Sequence, residues 1–186
     1  MKYLSTKKGF INPISLLILM SVAMPIAFNA WSAMLNNFVV EKAAFTGVEI
    51  GILQSLREVP GFLSFTLIFV LLIIKEQTFA VFALALLGLG VCMTGFFPAV
   101  YGLYFTTILM STGFHYFEAV KQSLSLQWLS KEEAPMVLGR LLAVGSLTSL
   151  IVYGCLWVLL EVFQLPYFIN FVIAGGICIL LAFVMY

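Results

Sequence analysis

Six apolar stretches, each about as long as a membrane crossing, run through this chain with few charges to interrupt them. A helix needs roughly 20 mostly apolar residues to cross the ~30 Å hydrocarbon core of a bilayer. The stretches fall near 13–36, 47–74, 78–96, 98–127, 135–160 and 166–186. Charged residues are 9% of the 186, against about 25% in an ordinary soluble domain, and Asp is absent. So few charges cannot cover the surface of a soluble fold of this size. The expected architecture is an all-α membrane protein. A short tail at 1–12 leads into a six-helix transmembrane domain at 13–186, with the lipid bilayer as its first partner.

Other classes find little support. A net charge of +1 gives no basic patch for nucleic acid. Cys92, Cys155 and Cys178 lie singly inside apolar runs, so they read as packing residues and not as a zinc site or disulfide framework. No GxSxG, HExxH, CxxC or glycine-rich phosphate loop occurs, and no loop is long enough for a catalytic domain. Neither an enzyme, a bound metal nor a cofactor is expected. The N-terminal lysines followed by an apolar run resemble a signal peptide, but the run from Ile14 to Leu35 exceeds the usual ~7–15 residues and reads as a retained first span.

Local chemistry marks the helix starts. Pro13, Pro98, Pro135 and Pro166 sit at or near first helical positions, where proline removes no hydrogen bond. Thr46 with Glu49, and Ser130 with Glu133, have the spacing of a capping box. Lys2, Lys7, Lys8, Lys75 and Lys131, flanked by Lys121 and Arg140, share one side of the expected topology. The opposite loops hold only Lys42. Basic loops stay in the cytoplasm, so both ends of the chain are expected there. The last apolar run reaches Tyr186 with no basic anchor, which leads us to expect a longer chain.

Polar side chains are distributed unevenly. In the first span Ser21, Pro25, Asn29, Ser32 and Asn36 recur every three or four residues and so share one narrow stripe. The fourth span has a longer stripe of Tyr104, Thr107, Ser111, His115, Glu118, Gln122 and Ser125. The second carries Gln54, Arg57, Glu58 and Gly61 on one side, and the fifth Ser146, Ser149, Tyr153 and Trp157. The third and sixth are almost purely apolar. Polar groups at membrane depth must face protein or water. Spans one, two, four and five are thus expected around a polar space, with three and six against lipid. The bland alternative is that small polar residues serve only helix packing.

Arg57, Glu58, His115 and Glu118 are the leading candidates for function. A charge at mid-membrane costs at least ~2.5–3.5 kcal/mol, so its presence calls for a reason. Arg57 lies about ten residues into the second span, roughly 15 Å deep. Its guanidinium needs a counter-charge, from Glu58, Glu118 or a bound anion. His115 and Glu118 are three residues apart on one face, and an imidazole can carry a proton near neutral pH. Two readings stay open: an ion-pair network that locks span two to span four, or direct handling of substrate or protons, with Asn29, Ser111 and Gln122 beside the path. Lys121 and Arg140 read as interfacial, and Glu161 as solvated. Pro60 and Gly61 should kink span two beside the charges. Gly47, Gly51 and Ser55 form a small-residue ridge suited to close helix approach.

Six spans, a cytoplasmic N-terminus, apolar third and sixth spans, and the segment Gly51–Gly61 together resemble the N-terminal half of a major facilitator superfamily transporter, of the uncharacterised bacterial kind. The resemblance covers nearly the whole chain. It implies two three-helix inverted repeats in the bacterial inner membrane and a small solute moved by alternating access, with or without protons. It also implies a second six-helix half, or a second copy, as partner. Spans one and four would line the path, two and five would meet the other half, and three and six would lie outside. The family's charged loop after span two is replaced here by Lys75-Glu76-Gln77-Thr78, and span five has no Gly-Pro pair. The alternative function is a complete six-helix interaction or structural subunit.

Overall fold

The computed structural model describes residues 12–185, and every element among them is helical. Lys2, Lys7, Lys8 and the rest of the tail to residue 11, with Tyr186, lie outside the described residues. Helix α1 runs Pro13–Ala43, α2 Gly47–Phe62, α3 Leu67–Leu71, α4 Glu76–Thr94, α5 Val100–Trp128, α6 Ala134–Trp157 and α7 Tyr167–Val184. A 3-10 turn, Leu63–Thr66, joins α2 to α3, and a π turn, Val158–Val162, extends α6.

Helix starts follow the local chemistry closely. The Asn12 side chain caps α1 by accepting from the Ser15 amide at 3.0 Å. The Thr46–Glu49 capping box closes at the head of α2. The Ser130–Glu133 pair also forms, but over a turn that precedes α6. Helix α1 runs seven residues past the expected 36, because Phe38 and Val39 are buried and Phe38 packs edge-on against Tyr167 and Phe171. It stops where Ala44 turns left-handed.

Four helical runs are long and apolar enough to cross a membrane: Pro13–Ala43, Glu76–Thr94, Ala134–Val162 and Tyr167–Val184. Four of the six expected crossings are thus single helices of that kind. The second expected span, 47–74, is not one helix. Helix α2 passes through Pro60 and gives way only at Leu63, whose carbonyl accepts the hydroxyls of Thr66 at 2.8 Å and Tyr116 at 3.1 Å. Those bonds favour the tighter turn there, downstream of the expected kink. The fourth span, α5, is long enough at 29 residues, but its polar stripe lowers its hydropathy.

Neighbours and directions come from the contacts. Helix α5 packs antiparallel to α4 and parallel to α2; α7 lies antiparallel to both α4 and α1; α6 runs parallel to α1. Helix α6 barely touches α5. The tightest seams use small residues. A β-carbon on Gly113 would strike the backbone of Leu87, and one on Gly175 would strike that of Gly88. In lipid such close approach, more than the hydrophobic effect, holds helices together. Trp31 is wholly buried and donates from Nε1 to Thr94 at 3.2 Å, tying α1 to α4.

This packing overturns one expectation. The apolar third span, α4, is not mainly lipid-facing: 44% of its most apolar stretch is buried, against 17% for α6. Small apolar residues such as Ala80, Ala83 and Gly88 suit a helix in the middle of a bundle as well as one in lipid. The glycine ridge of α2 also behaves differently from expectation. A β-carbon on Gly47 or Gly51 would meet nothing within 4 Å, so no described helix uses that close approach. Cys155 is exposed, whereas Cys178 is buried.

Candidate functional site

The polar stripe of α5 meets two different environments. Its first half lies under α2. Tyr104 donates to the Glu49 carbonyl at 3.4 Å, and the Ser111 hydroxyl donates to the Arg57 carbonyl. Gly61 then brings α2 against the imidazole of His115, where an added β-carbon would sit 2.8 Å from Cε1. Thr107 is buried in this seam with its hydroxyl unpartnered.

The ionisable side chains of this seam lie in a row. Arg57 donates to Glu58 Oε1 from Nε at 3.0 Å and from Nη2 at 2.7 Å, so sequence neighbours do pair. The other Glu58 oxygen lies 3.9 Å from His115 Nε2. Glu58 nevertheless keeps 59% of its side chain exposed, and Arg57 30%. His115 does not pair with Glu118, although the two share a face. It turns toward Glu58 and against the Phe114 ring, while Glu118 turns the other way. Arg57 and Glu58 thus pair within α2, and Ser111 and His115 are the α5 side chains that reach this part of α2.

The second half of the stripe opens into a cleft of about 660 Å³ between α1, α5 and α6. It exists because α6 leans on α1 and stands away from α5. Helix α1 contributes Ser21, Pro25 and Asn29; α5 contributes Glu118, Lys121, Gln122 and Ser125; α6 contributes Ser146 and Ser149. The lining runs from the end of the bundle nearest Lys131 to about the middle of α1 and α6. The deep end is closed by two contacts. Phe28 and Phe114 stack with centroids 4.1 Å apart, and Asn29 donates from Nδ2 to Ser149 at 2.6 Å.

Within the cleft, Lys121 donates to Glu118 Oε1 at 3.4 Å. The Lys121 side chain, expected at the membrane interface, is only 19% exposed and lines this cleft. The i, i+3 spacing to Glu118 was the available signal. The hydroxyl of Ser21 is buried and has no partner. Ser32 and Asn36, the far members of the first stripe, are exposed and outside the cleft, as are Tyr153 and Trp157 of α6.

Both clusters were visible as residues in the sequence, but their partners were not. The Phe28–Phe114 stack gave no sign, because two aromatics 86 positions apart carry no local signal. No family model, curated protein or solved structure matches this chain.

Proposed function

We infer that the chain is one half of a secondary transporter of the major facilitator kind, moving a small solute by alternating access through a bacterial inner membrane. In this reading six segments cross the bilayer, with α2, the 3-10 turn and α3 acting together as the second. Both chain ends lie in the cytoplasm, and the cleft opens on that side. A second six-helix half, or a second copy, completes the path.

The observation that carries this reading is the cleft, with a charged pair and several hydroxyls among otherwise apolar helices. Buried polar groups in a bilayer are costly unless water or a ligand reaches them. Two further features support it. The neighbouring helices alternate in direction in the way six successive crossings require. Their pairings also persist when the first three segments are exchanged with the last three: α1 with α6 corresponds to α5 with α2, and α4 with α7 maps onto itself. Inverted repeats would pair helices in this way. The exposed face of α2, with Gly47, Gly51 and the Glu58 carboxylate, calls for a protein or water neighbour in place of lipid.

Cysteine accessibility tests the reading. A membrane-impermeant thiol reagent should modify Ser146→Cys from the cytoplasmic side and leave Ser111→Cys unmodified, with Cys92, Cys155 and Cys178 first replaced by alanine. Equal protection of both would mean a filled bundle, and the interaction-subunit reading would take its place.

A further inference from the structure

We propose that the cleft binds a small zwitterion with an apolar body, a molecule that carries a carboxylate and an ammonium at one end, as a hydrophobic amino acid does. The proposal rests on the transporter reading above and names the class of solute for the same site.

Three properties of the cleft point to this chemistry. First, Glu118 and Lys121 are the charged side chains that line it among the described residues, so its charge is balanced. Their contact is long, at 3.4 Å, and is the one hydrogen bond each side chain makes with a described residue. An ammonium has three donors and a carboxylate about four acceptor sites, so both keep spare capacity. Second, the geometry discriminates against single charges. A lone anion must draw Lys121 away from Glu118, whose carboxylate is 41% exposed, and a lone cation must draw Glu118 away from the more buried Lys121, where the loss costs more. A zwitterion replaces one long ion pair with two, and strands neither group.

Third, the rest of the wall fits the rest of such a molecule. Met24, Phe28, Phe114, Leu138 and Leu142 supply an apolar side that ends in the aromatic stack. Ser21, at least nine-tenths buried with an unpartnered hydroxyl, belongs to the same wall. A volume of about 660 Å³ lies within the ~300–1,000 Å³ usual for small-molecule sites.

The test uses the full chain, purified and placed in lipid nanodiscs. Equilibrium binding is measured for phenylalanine and leucine, and for two truncated probes. N-acetylphenylalanine keeps only the carboxylate, and phenylalanine methyl ester keeps only the ammonium. We expect saturable binding of the amino acids, at least about tenfold tighter than either truncated probe. Lys121→Gln should weaken phenylalanine and shift the preference toward the ester. Glu118→Gln should shift it toward the N-acetyl probe. A purely structural role for the pair would not reverse preference in opposite directions. The exchange of both, Glu118→Lys with Lys121→Glu, preserves the charges and should retain the zwitterion preference, which guards against a single variant that fails to fold. A truncated probe that binds as tightly as phenylalanine, or no amino-acid binding, overturns the proposal. If the thiol reagent still reaches Ser146→Cys in that case, the transporter reading stands and only the solute class falls. If it does not, both fall.

Discussion

The α2–α5 seam and the α1–α5–α6 cleft share one helix face, yet one is closed and the other open. Both flank the same stripe of α5, which keeps its period from Tyr104 to Ser125. In the seam, Gly61 and Ser111 let α2 approach until its backbone meets α5 side chains. In the cleft, the equivalent neighbour α6 is held by α1 instead, through Asn29–Ser149 and the close approach of Gly145 to the Ser21 carbonyl. A polar stripe therefore marks a face that avoids lipid. Whether protein or water satisfies it depends on how near the next helix can come.

The contrast can be broken at its frame, at either side, or at one bond. The largest effect should come from Gly113→Val, because α4 and α5 support both regions and the new side chain meets backbone. We expect a loss of about 3 kcal/mol or more and little folded protein by size-exclusion chromatography in detergent. Gly61→Val should be next. It presses on the His115 ring, which can move, so we expect about 1–3 kcal/mol of destabilisation. Its counterpart Gly145→Val meets only the Ser21 carbonyl, at 3.5 Å, and should stay within about 0.5 kcal/mol. Thermal melts of the two side by side read the difference directly, and equal losses would mean that the cleft is packed as tightly as the seam. Asn29→Ala should be similarly small, about 0.6 kcal/mol for one interhelical hydrogen bond in a membrane. It sharpens the comparison if reagent access at Ser146→Cys rises while Ser111→Cys stays protected.

Much of the local structure was legible in the residues. Thr46 and Glu49 announced the start of α2, and the proline positions placed the helix starts within a few residues. The break in the second span was expected from Pro60 but came at Leu63. The hydroxyl of Tyr116 that shapes that turn arrives from a helix 53 positions away. The role of the apolar third span was also misjudged. A run of alanine, glycine and leucine looks the same whether it faces lipid tails or other helices, since both are apolar. Only the matching Gly88 and Gly175, and Gly113 against Leu87, show that α4 is a central helix.

The candidate site divides along similar lines. Burial cost alone singled out Arg57, Glu58, His115 and Glu118, and that cost is a property of each residue at its depth. Their grouping is a property of pairs. Arg57, Glu58 and His115 meet because α2 lies on α5, while Glu118 turns to Lys121 because α6 does not. Composition and helical period were enough to establish an apolar, all-helical chain and to line up the polar stripes, because both depend on single residues and their spacing. The partner across each face was set in three dimensions, by small residues far apart in the chain that let some helices touch and leave others apart.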